Sequence, residues 1–134
     1  MTEGMTHEEY VAIQRRRVAE LARQILAGEI DVLDGSCQIE VLRFEVEVED
    51  EDQDFMAFTL VSSETDHLPI GIEALNWSDE ALARKEPELQ QAREWAIATV
   101  RTQCANLLAR FADAEQALGA DVTPRKRDSE ESKG

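Results

Sequence analysis

The segment from residue 87 to residue 119, PELQQAREWAIATVRTQCANLLARFADAEQALG, carries the clearest helical pattern in the chain. Its apolar side chains recur every three or four residues and fall within an arc of about 80° on a helical wheel. That arc is formed by Leu89, Ala96, Val100, Cys104, Leu107 and Phe111. Pro87 suits the first turn of a helix, and a glycine such as Gly119 commonly follows a last turn. The pattern predicts a long C-terminal helix with one buried stripe, running to about Leu118.

A second helix is indicated near the N-terminus. Thr6 and Glu9 have the spacing of a capping box, in which a hydroxyl and a carboxylate three residues later satisfy free backbone N–H groups. Gly28 marks the expected end of this helix. Its expected buried side chains are Val11, Val18, Leu21, Ala22 and Ile25. These residues predict an amphipathic helix that packs against the C-terminal one.

Residues 30–48 carry apolar side chains on two opposite arcs of the helical wheel. One arc holds Ile30, Leu33, Cys37, Val41, Phe44 and Val48, and the other holds Ile39, Leu42 and Val46. A helix that is apolar on both sides is expected between other helices. Because Gly35 costs a helix interior about 1 kcal/mol relative to alanine, we expect the helix to begin near Ser36. The alternation from residue 44 to residue 48 also fits a strand.

The segment from residue 54 to residue 63 fits neither the helical nor the alternating pattern well. We predict a helix here, with one short strand or hairpin near residues 55–72 as the alternative. Ser78 is expected to cap a short helix that ends at Lys85, before a separate helix starts at Pro87.

The fold class is therefore predicted to be mainly α, a compact helical bundle with a long C-terminal helix. A chain of 134 residues suits one hydrophobic core. We predict a single domain over residues 6–118, a disordered N-terminus over residues 1–5 and a disordered polar tail over residues 119–134. No apolar stretch approaches the roughly 20 residues of a membrane span, so a cytoplasmic protein that does not bind membranes is expected.

Charge is distributed very unevenly. The chain has 29 acidic against 14 basic residues and a net charge of -15. Residues 44–83 contain no Lys or Arg but twelve acids: Glu45, Glu47, Glu49, Asp50, Glu51, Asp52, Asp54, Glu64, Asp66, Glu73, Asp79 and Glu80. Such a field repels nucleic-acid phosphates and attracts basic protein surfaces. Direct nucleic-acid binding is disfavoured, and a basic protein partner is predicted.

The predicted binding surface is the acidic part of this stretch before residue 67. It comprises Glu45, Glu47, Glu49, Asp50, Glu51, Asp52, Asp54, Glu64 and Asp66. The alternative interpretation, which carries equal weight, is a solvated loop that only keeps the protein soluble.

Motifs for catalysis, cofactors or metals are weak. Residues 50–54 resemble the start of a calcium loop, but Phe55 and Val61 replace its required glycine and glutamate. The cluster Glu64, Asp66 and His67 could serve acid/base or metal chemistry, but a simple turn before Pro69 is the favoured interpretation. We therefore predict no catalytic residue, no metal site and no cofactor.

Trp95 and the two cysteines complete the candidates. Trp95 lies about 140° from the buried stripe, among Ala98, Thr102, Ala105 and Ala109. We expect it to pack against the first helix or the Trp77 region, and the alternative is an aromatic anchor for a partner or a second copy. Cys37 and Cys104 are expected to be core residues.

The phrase SETDHLPIG over residues 63–71, with Asp54, Phe55, Phe58 and Trp77, resembles a pattern in a family of small bacterial proteins of unknown function. The resemblance covers about residues 20–112 and implies a bacterial cytosolic origin but no activity. In size and acidity the chain is also similar to small immunity proteins and other protein inhibitors.

Three functional hypotheses follow. The first is a non-enzymatic protein-binding module, inhibitor-like or immunity-like, that uses its acidic surface. The second is a small metal-dependent enzyme or factor centred on Glu64, Asp66 and His67. The third is an oligomeric structural module that uses Trp95.

Overall fold

A computed structural model describes residues 5–111 of the protein. Its four α-helices are α1 (His7–Ala27), α2 (Val32–Leu42), α3 (Gln53–Glu64) and α4 (Asp79–Arg110), and a 3₁₀ helix (Gly71–Asn76) lies between α3 and α4. This order confirms the predicted mainly α bundle with a long C-terminal helix. No strand forms within the described range, so the alternative of a strand or hairpin near residues 55–72 is wrong.

Helix α1 begins and ends as predicted. The Thr6 hydroxyl accepts a hydrogen bond from the Glu9 backbone N–H, and the Glu9 carboxylate accepts one from the Thr6 N–H. Gly28 follows the helix in a left-handed conformation with φ of 74°, which a residue without Cβ adopts at little cost. The apolar stripe expected from the helical wheel is buried along its whole length.

Helix α2 starts earlier than the sequence predicts. Asp31 caps it by accepting from the Leu33 N–H, and Gly35 lies inside it rather than before it. A Cβ at Gly35 would lie 2.8 Å from Ile30 Cδ1 and 2.9 Å from Ile25 Cδ1. The missing side chain lets α2 approach the end of α1 closely, and this packing outweighs the low helix propensity of glycine.

One of the two predicted apolar arcs is only partly buried. In this arc Leu33 is fully buried, but Val41 is 62% exposed and Phe44 is 68% exposed, whereas Ile39 and Val46 of the other arc are fully buried. The helix ends at Leu42, and residues 43–47 form turns, so the predicted helix apolar on both sides does not extend to residue 48. Helix α2 does not lie between α1 and α4 as expected, because those two helices contact each other directly, and the side of α2 that carries Val41 is open to solvent.

Helix α4 is continuous through Pro87, so the predicted break between Lys85 and Pro87 is wrong. Ser78 caps the helix, as expected, by accepting from the Ala81 N–H. Pro87 has no N–H to donate to the carbonyl of Ala83, four residues earlier. Because both residues are exposed, water can reach that carbonyl, and the helix continues past Pro87.

Buried side chains from all four helices form one core. Its members from α4 and the residue after it are Leu89, Ala96, Val100, Cys104, Leu107 and Phe111, which are the six residues of the predicted arc. Helix α3 contributes Phe55, Phe58 and Val61. The predicted extension of α4 to Leu118 and the predicted disorder of residues 1–4 and 119–134 lie outside the described residues.

Candidate functional site

The acidic loop, defined here as residues 45–52, connects α2 to α3 and is tied to α1. Its contacts with α1 join Glu45 to Tyr10, Glu47 to His7, and the carbonyl of Val46 to Arg15. The Tyr10 hydroxyl donates to Glu45 Oε1 over 2.7 Å, and Arg15 Nε donates to the carbonyl over 3.0 Å. Glu47 adopts a left-handed conformation with φ of 58°. These contacts fix the first half of the loop against the bundle.

Arg110, at the end of α4, holds the second half of the loop. Its Nη1 and Nη2 atoms donate to the two carboxylate oxygens of Asp52 over 2.9 and 3.0 Å. Nη1 also donates to Asp54 Oδ2 over 2.9 Å, and Asn106 donates to the other oxygen of Asp54. Asp52 additionally caps α3 by accepting from the Asp54 N–H. The Arg110 hydrogen bonds hold the pKa of Asp52 below its usual value.

Three consecutive acids of the loop remain open to solvent. Glu49, Asp50 and Glu51 are exposed, and their carboxylates form no hydrogen bond or ion pair with any other residue from 5 to 111. The backbone around them is nevertheless held, because Arg43 donates to the carbonyl of Asp50 over 3.1 Å. The loop therefore presents three negative charges from a fixed backbone.

A concave surface of about 540 Å³ lies beside the loop. It is lined by Arg15, Glu47, Val48, Glu49, Asp52, Arg110 and Phe111. The guanidinium groups of Arg15 and Arg110 lie 5.7 and 5.4 Å from the centre of the Phe111 ring. Because its charges have both signs and Arg110 is already paired, this surface favours neither an anionic nor a cationic ligand.

Replacing Arg110 with glutamine should lower stability at neutral pH but not in acid. Asp52 has a lower pKa in the folded than in the unfolded chain, so its contribution is present above the unfolded value of about 3.9 and disappears as pH falls through the folded value. We expect Arg110→Gln to cost up to about 1 kcal/mol at pH 7, since Arg110 is partly exposed. Urea unfolding at several pH values measures this cost.

Arg101→Gln is the matched control, because Arg101 is an exposed arginine of the same helix and forms no ion pair within residues 5–111. An equal cost of Arg110→Gln at pH 7 and pH 3 would contradict the proposed role of Asp52.

The other two acids of the predicted surface, Glu64 and Asp66, lie at the opposite end of α3 from the acidic loop. Twelve residues of helix, about 18 Å, separate the two places. The predicted surface is therefore divided, with Glu45 to Asp54 at one end of α3 and Glu64 and Asp66 at the other.

The second place is a cleft between the end of α3, the turn after it and the first half of α4. We call it the Trp95 cleft, and it has a volume of about 270 Å³. It is lined by Glu64, Thr65, His67, Leu68, Glu88, Gln91, Ala92 and Trp95. His67 Nε2 lies 2.9 Å from Glu88 Oε2, and Lys85 Nζ donates to Glu88 Oε1 over 3.1 Å. Hydrogen bonds from His67 and Lys85 hold the pKa of Glu88 below its usual value.

Trp95 is 39% exposed, so the expected burial in a second packed face of α4 is not found. The residues that line the cleft with it come from α3, the following turn and α4 itself. Beyond the cleft, this side of α4 is open to solvent at the small residues Ala98, Thr102 and Ala105.

The cleft unites two of the three residues in the predicted acid/base cluster. Glu64 and His67 line it, whereas Asp66 does not. The partner of His67, Glu88, was missed because it lies 21 residues further along the chain. A helical wheel could have indicated it, since residues 88, 91, 92 and 95 share one face of α4. Within residues 5–111, no group of three or more His, Cys, Asp or Glu side chains could hold a metal ion.

Neither cysteine has the environment of a reactive thiol. Burial raises the pKa of the Cys104 thiol to about 12. Burial also raises the pKa of Cys37, which is half-buried and lies 3.5 Å from the Ser62 hydroxyl. A nucleophilic cysteine requires a lowered pKa.

Comparison of the chain with protein families, with curated proteins and with solved structures gives no match. The geometry of the acidic loop and the Trp95 cleft is therefore the basis for proposing a function. None of the helices in residues 5–111 combines the length and the apolar character needed to cross a bilayer.

Proposed function

We propose that this protein is a non-enzymatic binding protein that presents its acidic loop to a basic surface of a protein partner. The observation that carries the proposal is the run Glu49-Asp50-Glu51, whose carboxylates are exposed and have no partner among residues 5–111. The loop around this run is held by Arg15 of α1, by Arg43 and by Arg110 of α4. A fixed loop pays little ordering entropy on binding. Its unpaired charges can attract a basic surface before contact.

An inhibitor or immunity factor fits this proposal, since such proteins cover the basic surface of their target. The proposed location is the bacterial cytoplasm, in agreement with the resemblance of residues 63–71 to the small bacterial family. We propose neither nucleic acid nor membrane as a ligand, because the same charges repel both.

The two other hypotheses have less support. A metal-dependent enzyme would need Glu64, Asp66 and His67 together, and Asp66 does not line the cleft. An oligomeric module could use the exposed face of α4 around Trp95, but nothing in the described residues indicates what covers that face.

The test neutralises the three open charges of the loop. The variant Glu49→Gln/Asp50→Asn/Glu51→Gln leaves the contacts of Asp52 and Glu47 in place. A partner is first captured at low salt with the full chain as bait, and association rates are then measured for each variant at increasing ionic strength. We expect the loop variant to associate about tenfold more slowly at low salt and to lose most of the salt dependence.

The matched control is Glu73→Gln/Glu80→Gln/Glu94→Gln, which removes the same charge from exposed positions outside the acidic loop and its contacts with α1. The proposal fails if loop and control variants slow association equally, since the effect would then come from net charge alone.

A further inference from the structure

The Trp95 cleft combines three features in one place: an exposed aromatic ring, a carboxylate without a partner and a carboxylate that is held ionised. Trp95 supplies the ring, and Glu64 forms no side-chain contact of hydrogen-bond or ion-pair type within residues 5–111. Glu88 keeps its charge because His67 and Lys85 donate to it. Leu68 and Ala92 also line the cleft and contribute apolar groups to it.

This combination suits a cationic group with a planar face. A tryptophan ring attracts cations over its face, and a guanidinium both stacks on such a ring and donates in parallel to a carboxylate. An ammonium group can use only part of this arrangement, because it is not planar. The apolar wall suits the methylene stem that precedes the guanidinium of an arginine.

The cleft is too small for most other ligands. Sites for drug-sized molecules usually measure about 300–1,000 Å³, and this cleft measures about 270 Å³. Anions are disfavoured, since the cleft has two carboxylates, and the nearby Lys85 ammonium group and His67 ring are both directed at Glu88.

We propose that the Trp95 cleft binds the side chain of an arginine that projects from a protein partner, with the guanidinium between Trp95 and Glu64. The choice of a protein as the source of the arginine rests on the proposed function. The preference of the cleft for a guanidinium does not rest on the proposed function, because the residues of the cleft and the acidic loop lie at opposite ends of α3.

The experiment titrates the full-length ¹⁵N-labelled protein with N-acetyl-arginine amide, which imitates an arginine within a chain. N-acetyl-citrulline amide is the neutral probe of nearly the same shape, and free arginine represents an amino-acid ligand. We expect saturable shifts of the Trp95 indole N–H and of backbone amides from residues 64–68 and 88–95. Binding of the citrulline probe should be at least about tenfold weaker, since it cannot form the charge-assisted bond.

Variants assign the contacts. Glu64→Gln and Trp95→Leu should each weaken binding of the arginine probe several-fold. Glu94→Gln is the matched control, because Glu94 is the neighbour of Trp95 in the chain but lines a different groove with Arg93 and Arg101. Thermal unfolding of each variant verifies that it is folded.

The proposal is wrong if the citrulline probe binds as tightly as the arginine probe, or if Glu64→Gln binds the arginine probe as tightly as the parent protein. Free arginine that binds tenfold more tightly than the blocked probe would indicate an amino-acid ligand instead. Shifts of the cleft signals on concentrating the protein without a probe would indicate that a second copy of the chain occupies the cleft. Shifts confined to residues 45–52 would also overturn the proposal while leaving the acidic-loop proposal intact. Conversely, cleft binding that persists in the triple loop variant would support the cleft even if the loop proposal fails.

Discussion

Replacing Phe58 with alanine is expected to lower the free energy of unfolding by about 3–5 kcal/mol. Phe58 is completely buried on the inner face of α3 and belongs to the single core. Its truncation removes the transfer free energy of the ring and leaves a cavity that rigid helices on either side fill only partly. Small domains have a total stability of about 5–15 kcal/mol, so the variant should be close to unfolding at 37 °C.

Leu60→Ala is the control, since Leu60 lies two residues away on the outer face of α3 and is 46% exposed. Urea unfolding followed by circular dichroism should give a loss of about 0.5 kcal/mol or less for this variant. Similar losses for the two variants would mean that α3 is not packed as described.

The second large effect concerns Gly35, where we expect Gly35→Val to cost about 3 kcal/mol. Helix propensity alone predicts that Gly35→Val raises the free energy of unfolding, because valine is a better helix former than glycine. The close approach decides the outcome, since even the first added carbon would lie 2.8 Å from Ile30 Cδ1 and 2.9 Å from Ile25 Cγ1. Ile25 is buried and has little room to move.

Gly35→Ala should cost about 1–2 kcal/mol, because its gain in helix propensity offsets part of the overlap. Adding Ile30→Val removes the nearest overlapping methyl group and should recover part of this loss in a double-mutant cycle. A stabilising Gly35→Ala variant, or no recovery in the double variant, would show that propensity outweighs packing at this position.

The sequence predicts those parts of the fold that depend on local periodicity. The stripe from Leu89 to Phe111 and the first helix from the Thr6 cap to Gly28 agree with the structure because burial of one helix face leaves a repeat of 3.6 residues. The predicted helix start after Gly35 and the predicted helix break before Pro87 are wrong because both depend on the surroundings of the residue. Gly35 packs against the side chains of Ile25 and Ile30, and Pro87 is exposed to solvent.

The candidate sites depend on contacts between residues that are distant in the sequence. Sequence patterns therefore predict some of the residues in each site but not how those residues pair. The open charges at Glu49, Asp50 and Glu51 could be predicted from composition. The pairing of Asp52 with Arg110 could not, because 58 residues separate the two. The meeting of His67, Glu88 and Trp95 likewise requires the turn after α3 to fold back over α4.

Helix α4 contacts both ends of α3, through Trp95 and Glu88 at one end and through Arg110 at the other. The fifteen residues from Trp95 to Arg110 correspond to about 22 Å along the helix axis. A peptide shorter than about seven residues, at roughly 3.3 Å per extended residue, could occupy the cleft or the loop but not bridge them. A partner that reached both from one rigid face would gain avidity, since the first contact raises the effective concentration of the second. The length of α4 thereby sets a minimum size for any bivalent partner.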